Sequence, residues 1–303
     1  MLLVLMVLPA AAQEPGTPVF RAGVSLVKVD VQVTDGRGRT IPDLTVADFE
    51  VFDEGEPRKI SYFGREAEPL DVVLLLDVSG SMHRSLRELG DAAQAALGAL
   101  HEGDRVAVML FAREAAVQER FTPDFQAVQS GIRQAVGSRG LGSGTAINAA
   151  IIEAAKYMGT EARQSRRAVL IVTDNVSLNY KVPDEDVLRA LYGADAVLNA
   201  ILIGKQKRPD PPPAGRDLNP DFTPSDVFKL AEETGGEAVE VRRVGESFQQ
   251  IMERIRARYG LQYDAPQAAP GAFRRIKVSL TPAALRRYPR ARVHARAGYY
   301  AAR

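Results

Sequence analysis

The side chains best suited to chemistry lie in the segment Asp77-Val78-Ser79-Gly80-Ser81, which directly follows a run of apolar residues. Asp77, Ser79 and Ser81 alternate along the chain, so an extended backbone points them to one side, and Gly80 permits a tight turn. Carboxylate and hydroxyl oxygens are hard ligands, which suit Mg²⁺ better than zinc or copper. The segment therefore predicts a magnesium site. The alternative is that a serine caps a following helix and that the aspartate is a turn residue.

Two further segments carry oxygen ligands at similar places. Thr145 ends a glycine-rich stretch, residues 140–145, before a predicted helix, and Asp174 follows the buried-type strand of residues 170–173. The glycine-rich stretch lacks the lysine of a P-loop and the spacing of a dinucleotide fingerprint. Taken singly, Thr145 is explained as a helix cap and Asp174 as a turn residue. Three such segments at strand-to-helix junctions of one domain favour a shared site, because open α/β sheets bind ligands beyond the carboxyl ends of their strands.

The elements around these segments have the pattern of an α/β domain. Residues 71–76 form a continuous apolar run, typical of a strand buried on both faces of a parallel sheet. Strands and amphipathic helices then alternate, which over residues 70–258 predicts a doubly wound, mainly parallel sheet flanked by helices. The later strands are predicted at residues 106–111, 168–173, 196–203 and 238–241, and the later helices at residues 125–136, 147–158, 187–191, 225–233 and 247–258.

Strand patterns flank this domain on both sides. Residues 24–33 alternate between apolar and polar, and residues 49–63 predict a hairpin. Strand patterns return after residue 259, the last of them over residues 293–300. We expect the chain ends, residues 19–66 and 259–303, to pair as a smaller β-sandwich-like domain that holds the α/β domain as an insertion. Proline-rich residues 204–223 predict a surface loop.

The first residues predict export. Residues 1–8 are an unbroken apolar run, followed by small residues up to Ala12. The run is too short to span a bilayer and indicates a signal peptide, residues 1–12. Because no Lys or Arg precedes it, a buried N-terminal strand is the alternative. No later segment is apolar enough to predict a membrane span, so we expect a secreted, periplasmic or cell-envelope protein.

The composition excludes several classes of function. The 303 residues include 0 Cys and 3 His, which excludes thiolate catalysis, iron–sulfur clusters and cysteine-based zinc sites. Lys and Arg total 39 against 38 Asp and Glu, a net charge of +1, so no nucleic-acid partner is predicted. The basic residues between 274 and 296 are expected to be solvated strand and loop positions.

The three polar segments together resemble the metal-site segments of a von Willebrand factor type A (VWA) domain with a metal-ion-dependent adhesion site (MIDAS). The matching residues are Asp77, Ser79, Gly80, Ser81, Thr145 and Asp174. The resemblance covers about residues 70–258, and the flanking β segments are similar to a bacterial VWA-related group. It implies that Ser79 and Ser81 bind Mg²⁺ or Mn²⁺ directly, that Thr145 binds directly or through water, and that the two carboxylates act largely through water. Where the family often has Gly after the second carboxylate, this chain has Asn175, which tolerates a left-handed backbone.

The resemblance implies binding rather than catalysis. A divalent ion held mostly by neutral hydroxyls is under-neutralised, so an acidic side chain of a partner can replace a bound water. We expect a non-catalytic protein-binding module whose partner presents an Asp or Glu side chain. One alternative is a phosphotransferase or hydrolase that uses the loop from Asp77 to Ser81, although Ser79 replaces a second Asp common in aspartyl-phosphate enzymes. A serine nucleophile also needs a positioned base, and His83 is the histidine near it in sequence. The other alternative is a scaffold with an unused metal site.

Overall fold

The computed structural model describes residues 26–65, 68–138, 140–163, 165–176, 182–205 and 225–302. The predicted signal peptide and most of the predicted proline-rich loop lie outside these ranges. The strands within them are β1 (Leu26–Thr34), β2 (Phe49–Asp53), β3 (Glu56–Arg58), β4 (Ile60–Arg65), β5 (Leu70–Asp77), β6 (Arg105–Phe111), β7 (Ala115–Thr122), β8 (Arg166–Thr173), β9 (Val197–Ile203), β10 (Ala238–Val241), β11 (Tyr259–Asp264), β12 (Phe273–Leu280), β13 (Arg292–His294) and β14 (Gly298–Tyr300). The α-helices are α1 (His83–Leu97), α2 (Phe125–Ala135), α3 (Ile147–Glu161), α4 (Asp184–Gly193), α5 (Val227–Thr234), α6 (Val244–Arg256) and α7 (Pro282–Arg287).

The central sheet has six strands in the order β10-β9-β8-β5-β6-β7. Neighbouring strands are parallel except β7, which runs antiparallel to β6. From β5 the chain adds β6 on one side, and the later strands β8, β9 and β10 build outward on the other. The strand order therefore reverses at β5, and the carboxyl end of β5 is the place where open sheets bind ligands.

Helices cover both faces of this sheet. Val72, Leu74 and Leu76 of β5 lie in the same apolar cluster as buried residues of α1, α2 and α6. Val73 and Leu75 lie in the opposite cluster, with buried residues of α3, α4 and α5. All five side chains are fully buried, and burying one side chain of this size contributes roughly 1.5–3 kcal/mol. The continuous apolar run of β5 thus serves two cores, which confirms the predicted doubly wound fold.

The chain ends form two antiparallel four-stranded sheets. Their strand orders are β13-β1-β11-β4 and β14-β12-β2-β3, so each sheet combines strands from before and after the α/β part. Val29 and Val31 of β1 share an apolar core with Tyr259 and Leu261 of β11. The expectation that the first and last strands pair is confirmed.

Buried arginines join the α/β part to these sheets. Arg166, at the start of β8, donates to Asp30 of β1 at 2.9 Å and to two carbonyl oxygens at the end of α6. Arg258 is fully buried and donates to the Gln32 side chain of β1 at 2.8 Å. Burial lowers the pKa of Arg258 to about 10. The passage from α6 into β11 is therefore fixed by hydrogen bonds on both sides.

The hairpin predicted over residues 49–63 is wrong in its second strand. β2 turns back at Glu54 and Gly55, both with positive φ, and pairs with the short strand β3. Two left-handed residues make the tight hairpin turn that matches strand twist. The predicted partner at Ile60 belongs to β4, which pairs with β11 in the other sheet.

The single strand predicted over residues 293–300 is also wrong. It is two strands in different sheets, because β13 pairs with β1 and β14 pairs with β12. Between them the amide of Ala297 donates to the carbonyl of Glu233 at the end of α5, which turns the chain from one sheet to the other.

The basic residues near the C-terminus are not all solvated as expected. Arg274 is 16% exposed and pairs with the buried Asp53 at 2.5 Å, and Arg296 is 11% exposed and pairs with Asp195. These two arginines are structural, because removing either one leaves a carboxylate without its cation.

Candidate metal centre

Asp77 lies at the carboxyl end of β5 and is fully buried. Its Oδ2 accepts the hydroxyl of Thr173 at 2.6 Å, and its Oδ1 accepts the amide of Ser79 at 2.9 Å. Burial raises the pKa of Asp77 despite these hydrogen bonds, and the negative charge of Asp174 raises it further. No basic side chain is among the groups that most strongly shift this pKa. The carboxylate therefore lies in an environment that favours a neighbouring cation.

Ser79 and Ser81 bring their hydroxyl oxygens together. The two Oγ atoms are 3.3 Å apart, as predicted from their alternation. Ser79 precedes the short 3-10 turn Gly80–Met82, but its side chain makes no capping hydrogen bond to that turn. The residue before α1 is Met82, which makes no side-chain capping bond either. The helix-cap alternative for these serines is therefore wrong. Both serines lie just after the carboxyl end of β5.

The segment of Thr145 is held beside the same strand ends. The amide of Val78 donates to the carbonyl of Phe111, and the amide of Ala146 donates to the carbonyl of Ala112, both at 2.8 Å. Two consecutive residues at the end of β6 therefore bind the two segments: Phe111 binds the segment that leads to Ser79, and Ala112 binds the segment that follows Thr145. Thr145 is buried, and the residue that precedes α3 is Ala146, with no side-chain cap bond. The cap alternative for Thr145 is wrong as well.

Asp174 follows β8 and is half-buried. Its Oδ1 accepts the amide of Val176 at 3.2 Å, so the carboxylate shapes its own turn as the turn-residue alternative predicts. Thr173, its neighbour in the chain, donates to Asp77, and the negative charge of Asp174 raises the pKa of Asp77. Asn175 has φ of 58°, so the left-handed turn expected at this position is kept without glycine.

The donor set suits a hard divalent ion. One buried carboxylate, two adjoining hydroxyls and a second carboxylate from the neighbouring strand provide oxygen alone, the ligand type of Mg²⁺ and Mn²⁺. Among the residues that the structure describes, no group of three or more His, Cys, Asp and Glu side chains is arranged to hold a metal ion. With only two carboxylates, the predicted set depends on its hydroxyls.

Two buried polar residues near these segments were not predicted from the sequence. Thr173 binds Asp77 through its hydroxyl and accepts the amide of Asn175 at 3.0 Å, so it links two of the predicted segments. Asn148 is buried in the first turn of α3 and donates to Asp184 of α4. The available signal was the same for both: a polar residue in an otherwise apolar strand or helix stripe.

Part of the α/β region is similar to a known family. Residues 72–176 match the family model of the von Willebrand factor type A domain. The match includes all five predicted ligand residues. No curated protein matches the chain.

Solved structures match the chain at low sequence identity. Proximal thread matrix protein 1 from the mussel byssus, in a structure with a zinc-occupied MIDAS motif, matches with a TM-score of 0.50 and 14% identity, over 68% of this chain and 50% of that chain. A von Willebrand factor type A protein from Catenulispora acidiphila matches with a TM-score of 0.48 and 13% identity, over 93% and 75%. An aerotolerance-related membrane protein from Bacteroides fragilis matches with a TM-score of 0.46 and 21% identity, over 61% and 98%.

Proposed function

We propose that this chain is a non-catalytic binding module that holds Mg²⁺ or Mn²⁺ at Ser79, Ser81 and Thr145, with Asp77 and Asp174 acting largely through water. The observation that carries the proposal is the buried carboxylate of Asp77, whose closest partners are hydroxyl and amide groups. We expect a divalent ion at this place to offset the negative charges of Asp77 and Asp174. VWA domains are typically interaction modules, and the zinc-occupied MIDAS motif of the mussel protein fits a divalent ion at such a site.

The partner is a protein that presents an Asp or Glu side chain. Hydroxyl ligands leave the positive charge of the ion largely uncompensated, so a carboxylate from outside the chain gains more than a neutral group does. Ser81 and Asp174 are not buried, so a side chain from outside can reach the centre. Binding of this kind needs no nucleophile and no general base.

The proposed location is outside the cytoplasm, on the strength of the apolar N-terminal run followed by small residues. No helix in the described part of the chain is long and apolar enough to cross a membrane. Fusing residues 1–25 to a reporter enzyme and assaying the culture medium and the periplasm tests the export signal.

Selection from a random peptide library tests the binding function. The immobilised chain is panned in millimolar Mg²⁺, and bound peptides are released with EDTA. We expect the released peptides to share an Asp or Glu that cannot be changed to Asn or Gln without loss of binding. A variant with both Ser79→Ala and Ser81→Ala is the matched control and should select no such peptides. Equal recovery in EDTA and Mg²⁺ contradicts the proposal.

The enzymatic alternative is tested with the same variant. Phosphatase and esterase assays on the wild-type chain should give no turnover above that of the Ser79→Ala variant. Turnover that depends on Ser79 contradicts a binding module.

A further inference from the structure

Thr173 is the last residue of β8 and lies beside the last residue of β5. Val172 of β8 pairs with Leu76 of β5 in parallel register, so the next residues of the two strands, Thr173 and Asp77, lie at the same edge of the sheet. Thr173 is fully buried, and its hydroxyl donates to Oδ2 of Asp77 at 2.6 Å. The hydroxyl therefore binds the buried carboxylate of the candidate centre directly.

The same hydroxyl also binds the turn that carries Asp174. It accepts the amide of Asn175 at 3.0 Å, which closes a hydrogen-bonded ring that contains the backbone of Asp174. Within this turn, Oδ1 of Asp174 accepts the amide of Val176 at 3.2 Å. A single side chain thus connects the carboxylate of Asp77 to the turn that orients Asp174.

Chemistry fixes the direction of these hydrogen bonds. The amide of Asn175 is a donor only, so the Thr173 oxygen accepts there and keeps its proton for Asp77. The other oxygen of Asp77, Oδ1, accepts the amide of Ser79 at 2.9 Å. The carboxylate is therefore held at both oxygens, by its own loop on one side and by β8 on the other.

The surroundings of Thr173 favour an apolar residue. Residues 168–172 of β8 are apolar and buried, and a valine after them would continue this run with nearly the same shape. Burying a hydroxyl costs free energy unless it is hydrogen-bonded. Both bonds of this hydroxyl go to segments of the candidate centre, which indicates that the hydroxyl serves the site rather than the core.

We propose that Thr173 is a positioning residue for the metal centre, whose hydroxyl holds the carboxylate of Asp77 and the Asp174 turn in the relative arrangement that metal binding requires. This inference rests on the proposed function. Groups that orient metal ligands through hydrogen bonds typically change metal affinity by about 10–100-fold when they are removed.

Titration of the full chain with Mn²⁺ tests the role of the hydroxyl, with free Mn²⁺ measured by electron paramagnetic resonance. Thr173→Val removes both hydrogen bonds at nearly constant volume, and we expect it to weaken Mn²⁺ binding by about 10–100-fold. Thr173→Ser keeps the hydroxyl and should bind Mn²⁺ within about threefold of wild type. A purely steric role of Thr173 predicts the reverse order, because valine fills the site better than serine does.

Thr234→Val is the matched control. Thr234 is also a buried threonine, and its hydroxyl accepts the amide of Leu198 at 3.0 Å and donates to the carbonyl of Leu230 at 2.9 Å. These bonds join the end of α5 to β9, outside the three metal-site segments. We expect this variant to lower the free energy of unfolding without changing Mn²⁺ affinity. A loss of affinity equal to that of Thr173→Val would show that affinity follows general stability, which contradicts the inference.

Hydrogen exchange of the Asn175 amide in EDTA gives a readout that does not depend on the metal. In Thr173→Val this amide loses its acceptor, and we expect it to exchange about 2–10-fold faster, the net worth of one hydrogen bond. Thr173→Ser should keep the wild-type rate. An unchanged rate in Thr173→Val contradicts the connection between the hydroxyl and the turn.

The outcomes separate the two proposals. A wild-type chain that takes up no Mn²⁺ overturns the proposed function and this inference with it. A wild-type chain that binds Mn²⁺, with Thr173→Val binding equally well, overturns this inference alone. If Thr173→Val does not fold, Thr173→Cys replaces it, because a thiol fills the site but is a weak donor. Weakened Mn²⁺ binding by that variant supports the inference, and binding equal to wild type overturns it.

Discussion

The two ends of β5 carry fully buried aspartates with opposite surroundings. At the amino end, Asp71 accepts two hydrogen bonds from the Arg105 guanidinium, at 2.9 and 2.8 Å, one from the amide of Arg163 and one from the hydroxyl of Ser165. Burial alone raises the pKa of Asp71, but these bonds together bring it below its ordinary value. At the carboxyl end, Asp77 has hydroxyl and amide partners, and its pKa is raised.

The difference lies in how the charge of each buried carboxylate is compensated. Both carboxylates lose their hydration in the same strand, and a buried charge is tolerated when it is paired. Asp71 is paired within the fold by Arg105. For Asp77, no basic side chain is among the groups that most strongly shift its pKa, and the negative charge of Asp174 raises that pKa further. Burial by itself therefore does not distinguish the two ends, and the identity of the partners does.

Removing the carboxylate at the paired end should have the largest effect on stability. Asp71→Ala leaves Arg105, whose side chain is 17% exposed, without its partner. Breaking such a buried pair costs about 3–5 kcal/mol of unfolding free energy, to be measured by urea denaturation. A loss of less than about 1 kcal/mol contradicts the structural role of this end.

Divalent metal should stabilise the chain through the carboxyl end of β5. At a Mg²⁺ concentration 100 times the dissociation constant, linkage adds about 2.7 kcal/mol to the free energy of unfolding. We expect this gain between EDTA and Mg²⁺ in the wild-type chain and its absence in Ser79→Ala with Ser81→Ala. An equal gain in unfolding free energy in both chains would show that the ion binds at a site that does not need Ser79 and Ser81.

The pH dependence of stability should have opposite signs at the two ends. The pKa of Asp71 is lowered, so its stabilisation is present above 3.8 and is lost as the pH falls through its folded-state pKa. The pKa of Asp77 is raised, so in EDTA its contribution is favourable below 3.8 and is lost as the pH rises.

Denaturation in EDTA across acidic to neutral pH checks these signs. Relative to the wild-type chain, Asp71→Asn should become less stable as the pH rises, and Asp77→Asn should become more stable. If the stability of both variants relative to wild type changes with pH in the same direction, the expected difference between Asp71 and Asp77 is contradicted.

The turn after Asp174 should give the smallest effects. Asn175→Ala replaces a residue that tolerates the left-handed φ of 58° with one that tolerates it less well. This change should lower the free energy of unfolding by about 1 kcal/mol. Asn175→Gly should change the free energy of unfolding by less than about 0.5 kcal/mol, because glycine adopts this φ freely. Urea denaturation in EDTA compares the two variants, and equal losses contradict a backbone cause.

The parts of the fold with strong periodicity could be predicted from the sequence. The apolar run of β5 and the alternation after it indicated the sheet and the helices on both faces. β7 was not predicted, because it is an edge strand whose residues are half-buried or exposed and lack an apolar run. Sheet membership was harder still, as β4 shows, because pairing depends on contacts with residues about 200 positions away.

At the site, the residue types and their order along the chain were enough to select the predicted ligands. The hydrogen bonds of Thr173 and Asn148 were not predicted, because a single polar residue in an apolar stripe has many explanations until its partner is known. The pairing of Asp71 with Arg105 could not be predicted for the same reason, since 34 residues separate them.

The most direct test is to count the Mn²⁺ ions bound per chain by electron paramagnetic resonance, with free Mn²⁺ as the signal. Variants at each end of β5 then show which end binds the ion. We expect one ion per wild-type chain, one per Asp71→Asn chain and none per Asp77→Asn chain, with circular dichroism showing that all three are folded. A wild-type chain that leaves all Mn²⁺ free, or an Asp77→Asn chain that binds it as tightly as wild type, contradicts a metal centre at the carboxyl end of β5.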